Sequence, residues 1–158
     1  PSRGPIGHVL GLAPRYFGPP QPQPEMLALG EAKLPRIAVV YAYAGQTEDE
    51  VRDIVRNADG VIVAGVGAGG VSSGARKALR ALADKNIPMV TTPRQGHGDI
   101  RRSEPTPAAK SDDDDRVPTI GGRELTTAKA RILLMLAMQK RRTFAELQAI
   151  FDRAGTTN

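Results

Sequence analysis

From Arg36 to Tyr43 the chain reads Arg-Ile-Ala-Val-Val-Tyr-Ala-Tyr, an almost unbroken apolar run of strand length. A strand covered on both faces needs such a run, because neither face has room for polar side chains. Polar residues return at Thr47-Glu48-Asp49-Glu50, where a threonine and a glutamate three residues on are spaced as a capping box. Behind that box Val51, Ile54, Val55 and Ala58 recur at helical spacing. Gly60 to Ala64 is a second buried strand, followed by Gly65-Val66-Gly67-Ala68-Gly69-Gly70 and a helix predicted from Ser73 with Ala75, Ala78, Leu79, Leu82 and Ala83 as its apolar stripe. Ile87 to Thr92 supplies a third strand. Strand and helix alternating over short connections is the pattern of βαβ units on a parallel sheet.

Between Pro93 and Val117 the pattern collapses into Gly, Pro and charge, with Asp112 to Asp115 a run of four acids, so a long loop is expected. Order returns at Val117-Pro118-Thr119-Ile120, a short fourth strand. A helix capped by Thr126 or Thr127 then carries Ile132, Leu133, Leu136 and Ala137, and a last one opens on the box Thr143 to Glu146 with Leu147, Ile150 and Phe151 facing in and Gly155 as its stop. At the other end Gly4 to Phe17 reads as a hairpin, and Gly18-Pro19-Pro20-Gln21-Pro22-Gln23-Pro24 as a linker that no helix or sheet interior accepts. An isolated hairpin is marginal in water, so its sheet partners are expected elsewhere. The division that follows is hairpin 1–18, linker 19–33, an α/β domain 34–154 and a tail 155–158.

The 158 residues suit one domain plus tails. Aromatics at 4% and the absence of Trp leave Ala, Val, Leu and Ile to fill the core, which suits thin helix-on-strand layers. The fold class is therefore α/β: a three-layer, Rossmann-like domain with a small parallel sheet flanked by helices. Zero cysteines remove disulfides, Cys-ligated zinc, iron–sulfur clusters and a thiol nucleophile together. No apolar run reaches the roughly 18 residues of a spanning helix, so no membrane partner is expected. The net charge of +5 raises nucleic acid as a partner. Only Arg101-Arg102 and Lys140-Arg141-Arg142 cluster, however, and no aromatics lie between them to stack bases, so no nucleic-acid partner is expected either.

Candidate chemistry centres on the glycines. Gly65, Gly67 and Gly70 satisfy G-x-G-x-x-G between a strand and a helix, where backbone amides and a helix N-terminus can cradle a pyrophosphate. A dinucleotide site also wants an acid after the next strand, and there stand Thr91, Thr92, Pro93 and Arg94, the last suited to a 2′-phosphate. The competing reading is a tight turn that needs small residues for packing. His8 and His97 are the only histidines, too few for a metal site without Cys; His97, in Gly96-His97-Gly98, is a loop residue and a candidate base. Ser72 and Ser73 read as N-caps. Tyr41 and Tyr43 fall at a strand's carboxyl end, where ligands meet such sheets.

Four segments carry a resemblance: Ile37 to Ala44, Val63 to Ser73 (Val-Ala-Gly-Val-Gly-Ala-Gly-Gly-Val-Ser-Ser), Thr91 to Gly98 (Thr-Thr-Pro-Arg-Gln-Gly-His-Gly) and Lys129 to Met138 (Lys-Ala-Arg-Ile-Leu-Leu-Met-Leu-Ala-Met). In order and spacing they resemble the C-terminal domain of bacterial type II L-asparaginases, over about Leu34 to Phe151, and Gly4 to Phe17 is similar to the last hairpin of that family's N-terminal domain. The resemblance implies an amidohydrolase releasing ammonia from L-asparagine, and in some members L-glutamine, through a threonine nucleophile and no cofactor. It implies homo-oligomers, tetramers of intimate dimers in which this domain closes the neighbour's active site. The family's nucleophile region lies in the N-terminal domain, so no catalytic residue is expected in this chain, which reads as a C-terminal fragment or a decayed or split relative, with Pro1 in place of an initiator Met suggesting a processed product or a fragment. The family's substrate-contacting Asn or Ser aligns with Gly70, which offers no side chain; Ser72 is the substitute one turn later, and Asp114 or Asp115 is the nearest match to the family's acid from the long loop. The compartment follows the subtype: periplasmic or secreted for type II, cytoplasmic otherwise. The alternative class is a nucleotide-binding module using Gly65 to Gly70. One further expectation concerns Arg131 to Met138: a helix apolar nearly all round needs cover on more than one side, so the chain should self-associate, less so as Leu134→Glu.

Overall fold

In the computed structural model, which describes residues 7–10, 13–16, 27–31, 33–96, 98–102 and 117–155, the apolar runs pair as a four-stranded parallel sheet. Its strands are β3 (Ile37–Tyr41), β4 (Gly60–Gly65), β5 (Met89–Pro93) and β6 (Ile120–Gly121), in the order β3-β4-β5-β6. One row of the register runs Val40, Val63, Thr91, Gly121 across all four. A separate antiparallel pair joins β1 (Gly7–Leu10) to β2 (Ala13–Tyr16).

Alternation along the strands divides the core in two, since successive side chains leave a strand on opposite faces. Val40, Val61, Val63 and Met89 point toward α1 (Glu48–Val55) and α2 (Ser73–Ala83), meeting Val51, Val55, Ala75, Ala78, Leu79 and Leu82. Ile37, Ile62, Val90 and Ile120 point the other way, toward α3 (Thr127–Ala137) and α4 (Phe144–Gly155), meeting Ala130, Leu134, Leu147, Ile150 and Phe151. Each fully buried Val, Leu or Ile contributes roughly 1.5–3 kcal/mol relative to exposure, so both faces are needed. The three layers are those the pattern predicts.

Both capping boxes form: Thr47 Oγ1 accepts from the Glu50 N–H while Glu50 accepts from the Thr47 N–H, and Thr143 and Glu146 repeat the arrangement. The last helix ends at Gly155 as expected, and that residue is small because a Cβ there would come within 2.6 Å of Arg123 Cβ. Three expectations need correction. The fourth strand starts at Ile120 instead of Val117. Ile54 is exposed. On α3 the inward face is Thr127, Ala130, Leu134 and Ala137, and Ile132 is 52% exposed. Leu134 is therefore a core residue, and Leu134→Glu would bury a charge under the sheet instead of probing an outer surface.

The outer face of α3 forms part of an apolar groove of about 540 Å³ lined by Leu27, Leu125, Ile132, Leu133 and Leu136 among others. The stretch expected as linker lies along it in part. Leu27 packs against the α3–α4 core, and the Gly30 N–H donates to Gln139 Oε1 at 2.9 Å.

Candidate functional site

The carboxyl ends of β3, β4 and β5 release three segments side by side: Ala42–Gln46, Val66–Val71 and Arg94–Gly96, with Gly98–Ile100 following. The middle one is the glycine run. It folds as a closed turn in which the Val66 N–H donates to the Gly70 carbonyl (2.9 Å) and the Gly69 and Gly70 N–H groups both donate to the Val66 carbonyl (3.2 and 2.7 Å). Gly67 and Gly69 take left-handed backbones (φ 57° and 100°), and a Cβ on Gly65 would sit 2.5 Å from the Gly69 backbone. Small residues are thus required for the chain to fold back on itself.

Three observations bear on the phosphate reading. The turn's amides at 66, 69 and 70 are spent on its own carbonyls. The strand order is sequential, so the described sheet has no reversal point at which a crevice opens between diverging loops. Arg94, the residue suited to a 2′-phosphate, donates from its guanidinium to the Ala42 carbonyl and ties the first segment to the third.

Ser72 is the N-cap of α2, accepting from the Ala75 N–H at 3.0 Å and donating to the Gln46 carbonyl at 2.6 Å. Gly70 is exposed two residues before it. Asp114, Asp115 and His97 lie outside the described residues. Thr91 and Thr92 are buried in β5, with Thr91 bonded to Thr119 (3.0 Å) and Thr92 to Thr127 (3.1 Å).

Tyr41 and Tyr43 project into solvent at 55% and 45% exposure. The Tyr43 hydroxyl donates to Glu50 Oε1 at 3.0 Å. That bond to a carboxylate, with a small desolvation and the negative charge beside it, raises the phenol above its ordinary value. Glu50 is lowered, chiefly by the Thr47 N–H, then by the Thr47 hydroxyl and by Tyr43. The site edge is therefore neutral phenol and ionised carboxylate at pH 7, with the carboxylate already engaged.

The glutaminase/asparaginase C-terminal domain family matches residues 36–151. The chain belongs to that family. It is 28% identical over 154 residues to a glutaminase-asparaginase of Pseudomonas fluorescens biotype A, covering 94% of this chain and 41% of that protein. With L-asparaginase 2 of Bacillus subtilis (strain 168) it shares 29% over 121 residues, covering 76% and 30%. The solved probable cytoplasmic L-asparaginase of Campylobacter jejuni superposes with a TM-score of 0.71 at 23% identity, over 94% of this chain and 46% of that one, a likeness of fold. The asparaginase-family chain thus spans less than half the length of these relatives.

Sequence reasoning missed two groups. Gln148 grips the edge strand with both ends of its amide, accepting from the Gly121 N–H at 2.8 Å and donating to its carbonyl at 3.3 Å. A glutamine inside the stripe Leu147 to Phe151 was the available signal. Arg123, paired to Asp99 and Asp152, had none, because its partners are set by the fold.

Proposed function

We propose that this chain is the C-terminal part of an amidohydrolase that releases ammonia from L-asparagine, with L-glutamine as second substrate, and that it completes the active site of a neighbouring subunit in a homo-oligomer. The family match over residues 36–151 carries the reading, together with the share of the relatives' length that the chain lacks. The nucleophilic threonine belongs to the part not represented here. Its hydroxyl oxygen attacks the side-chain amide carbon, the departing nitrogen takes up the hydroxyl's proton and leaves as ammonia, and water hydrolyses the acyl-enzyme to the acid and the free threonine. This chain supplies the wall. A hydroxyl has one proton and two lone pairs; in Ser72 the proton goes to Gln46 and one lone pair to Ala75, leaving a lone pair for a substrate ammonium beside the open backbone of Gly70. Asp114 or Asp115 brings the countercharge from the long loop.

Mixed with the N-terminal region of the Pseudomonas glutaminase-asparaginase, the chain is expected to restore asparagine-dependent ammonia release that neither piece gives alone. A stable mixed complex without turnover would overturn the reading.

The nucleotide-binding alternative is not supported: the family is a different one and the turn's amides at 66, 69 and 70 are internally bonded. Calorimetric titration with NADH and NADPH at micromolar concentration should show no saturable heat. Binding that Gly67→Val abolishes would reverse this.

A further inference from the structure

Arg123 has a left-handed backbone, φ 55°, which a long side chain keeps only where its surroundings hold it. Here they do. The Arg123 N–H donates to the Ile100 carbonyl at 2.9 Å, and the Arg123 carbonyl accepts from the Ile100 N–H at 3.1 Å. Its side chain, 17% exposed, stands between two carboxylates as a charge pair, with Nη1 3.4 Å from Asp99 Oδ1 and Nε 3.5 Å from Asp152 Oδ1, the buried Nε making no hydrogen bond. Asp99 lies on the segment returning from the carboxyl end of β5, and Asp152 lies on α4, where the Gln148 amide also holds it at 2.9 Å.

That returning segment runs beside the glycine turn. Ile100 is buried, and its Cγ2 lies 3.9 Å from where a Cβ on Gly69 would stand. On its other side the segment runs flush over β6: a Cβ on Gly121 would come within 2.5 Å of the Arg101 and Arg102 backbone. Hydrogen bonds and ion pairs therefore lead from α4 through Arg123 to Ile100, which lies beside Gly69. Glycine would fit the φ at 123 without strain; what arginine adds is the charge that grips Asp99.

We propose that Arg123 is a positioning residue of the candidate site: its hold on Asp99 and Ile100 clamps residues 98–102 to α4 and thereby fixes the Gly65–Gly70 turn. The inference takes the carboxyl edge of the sheet as the site, as proposed above, but its test needs no substrate and no second domain.

Amide hydrogen exchange by mass spectrometry on the whole chain decides it. Arg123→Gly removes both the strain and the charge, and exchange in 98–102 and 66–70 should rise at least about tenfold while the central strand Val61–Ala64 keeps its protection. Asp99→Asn, which leaves the backbone at 123 and α4 untouched but also removes the Asp99–Arg101 pair at 3.5 Å, should raise exchange in the same two segments, whereas Arg101→Ala, which removes that pair alone, should leave 66–70 protected. Arg123→Lys should retain part of the protection, because an ammonium lacks the two-sided fork. Unchanged exchange at 66–70 in both Arg123→Gly and Asp99→Asn would overturn the proposal, and so would an even loss of protection that includes Val61–Ala64. Loss of the complementation activity would leave this result standing, so the two readings fail separately.

Discussion

Ser72 closes one end of a helix and the floor of a loop with a single hydroxyl. Removing it frees the Ala75 N–H and the Gln46 carbonyl together, so Ser72→Ala should lower stability by about 1 kcal/mol, within the ~0.5–2 kcal/mol of other cap deletions, in urea denaturation. The carboxylates of the two capping boxes carry a pH signature. Glu50 is held low first by the Thr47 N–H and Glu146 first by the Thr143 N–H, with the Arg142 charge a lesser contribution to the second. A carboxyl whose folded value is depressed adds stability above its ordinary value of 4.5 and loses it as pH falls through the lower folded value. The double variant Glu50→Gln, Glu146→Gln should therefore lose stability less steeply than the parent below that pH; an equally steep decline would contradict the assignment. Both boxes are legible in the sequence because a cap involves four consecutive residues. The glycine run is legible as a turn, but its closure on Val66 is not, since G-x-G-x-x-G does not say where the amides donate.

At the scale of elements, α1 and α2 mix charge with apolar positions, so their buried faces follow from spacing almost residue by residue. In α3 the run Ile132 to Ala137 is apolar without a break, and periodicity has no contrast with which to choose a face. Burial chose Ala130, Leu134 and Ala137 because they meet Ile37, Ile62 and Val90 on the sheet. Leu134→Ala should thus cost ~2–5 kcal/mol, whereas Ile132→Glu, on the exposed side, should fall within about 0.5 kcal/mol. The same exposed side makes self-association expected at micromolar concentration, and Ile132→Glu should shift light scattering toward the monomer. Scattering that stays monomeric in the parent at every concentration would show that Leu27 and its neighbours cover the groove sufficiently. Edge strand β6 is two residues long and leans on Gln148, a long-range pairing that local pattern does not encode.

Across the whole molecule, two core faces among the described residues flank a sequential parallel sheet that carries the glycine turn at its carboxyl edge. The hydroxyl of Ser72 is committed to a cap, that of Thr91 to Thr119 beside β6, and that of Thr92 to Thr127 at the start of α3. In the proposed role this chain completes a site whose nucleophile lies elsewhere, and asparagine-dependent ammonia release by the purified chain alone tests that most directly. The predicted result is a rate equal to the buffer blank, the same for the parent, Thr91→Ala and Thr92→Ala. Turnover above the blank that either substitution abolishes would contradict it, because a buried β5 threonine would then be acting as the nucleophile.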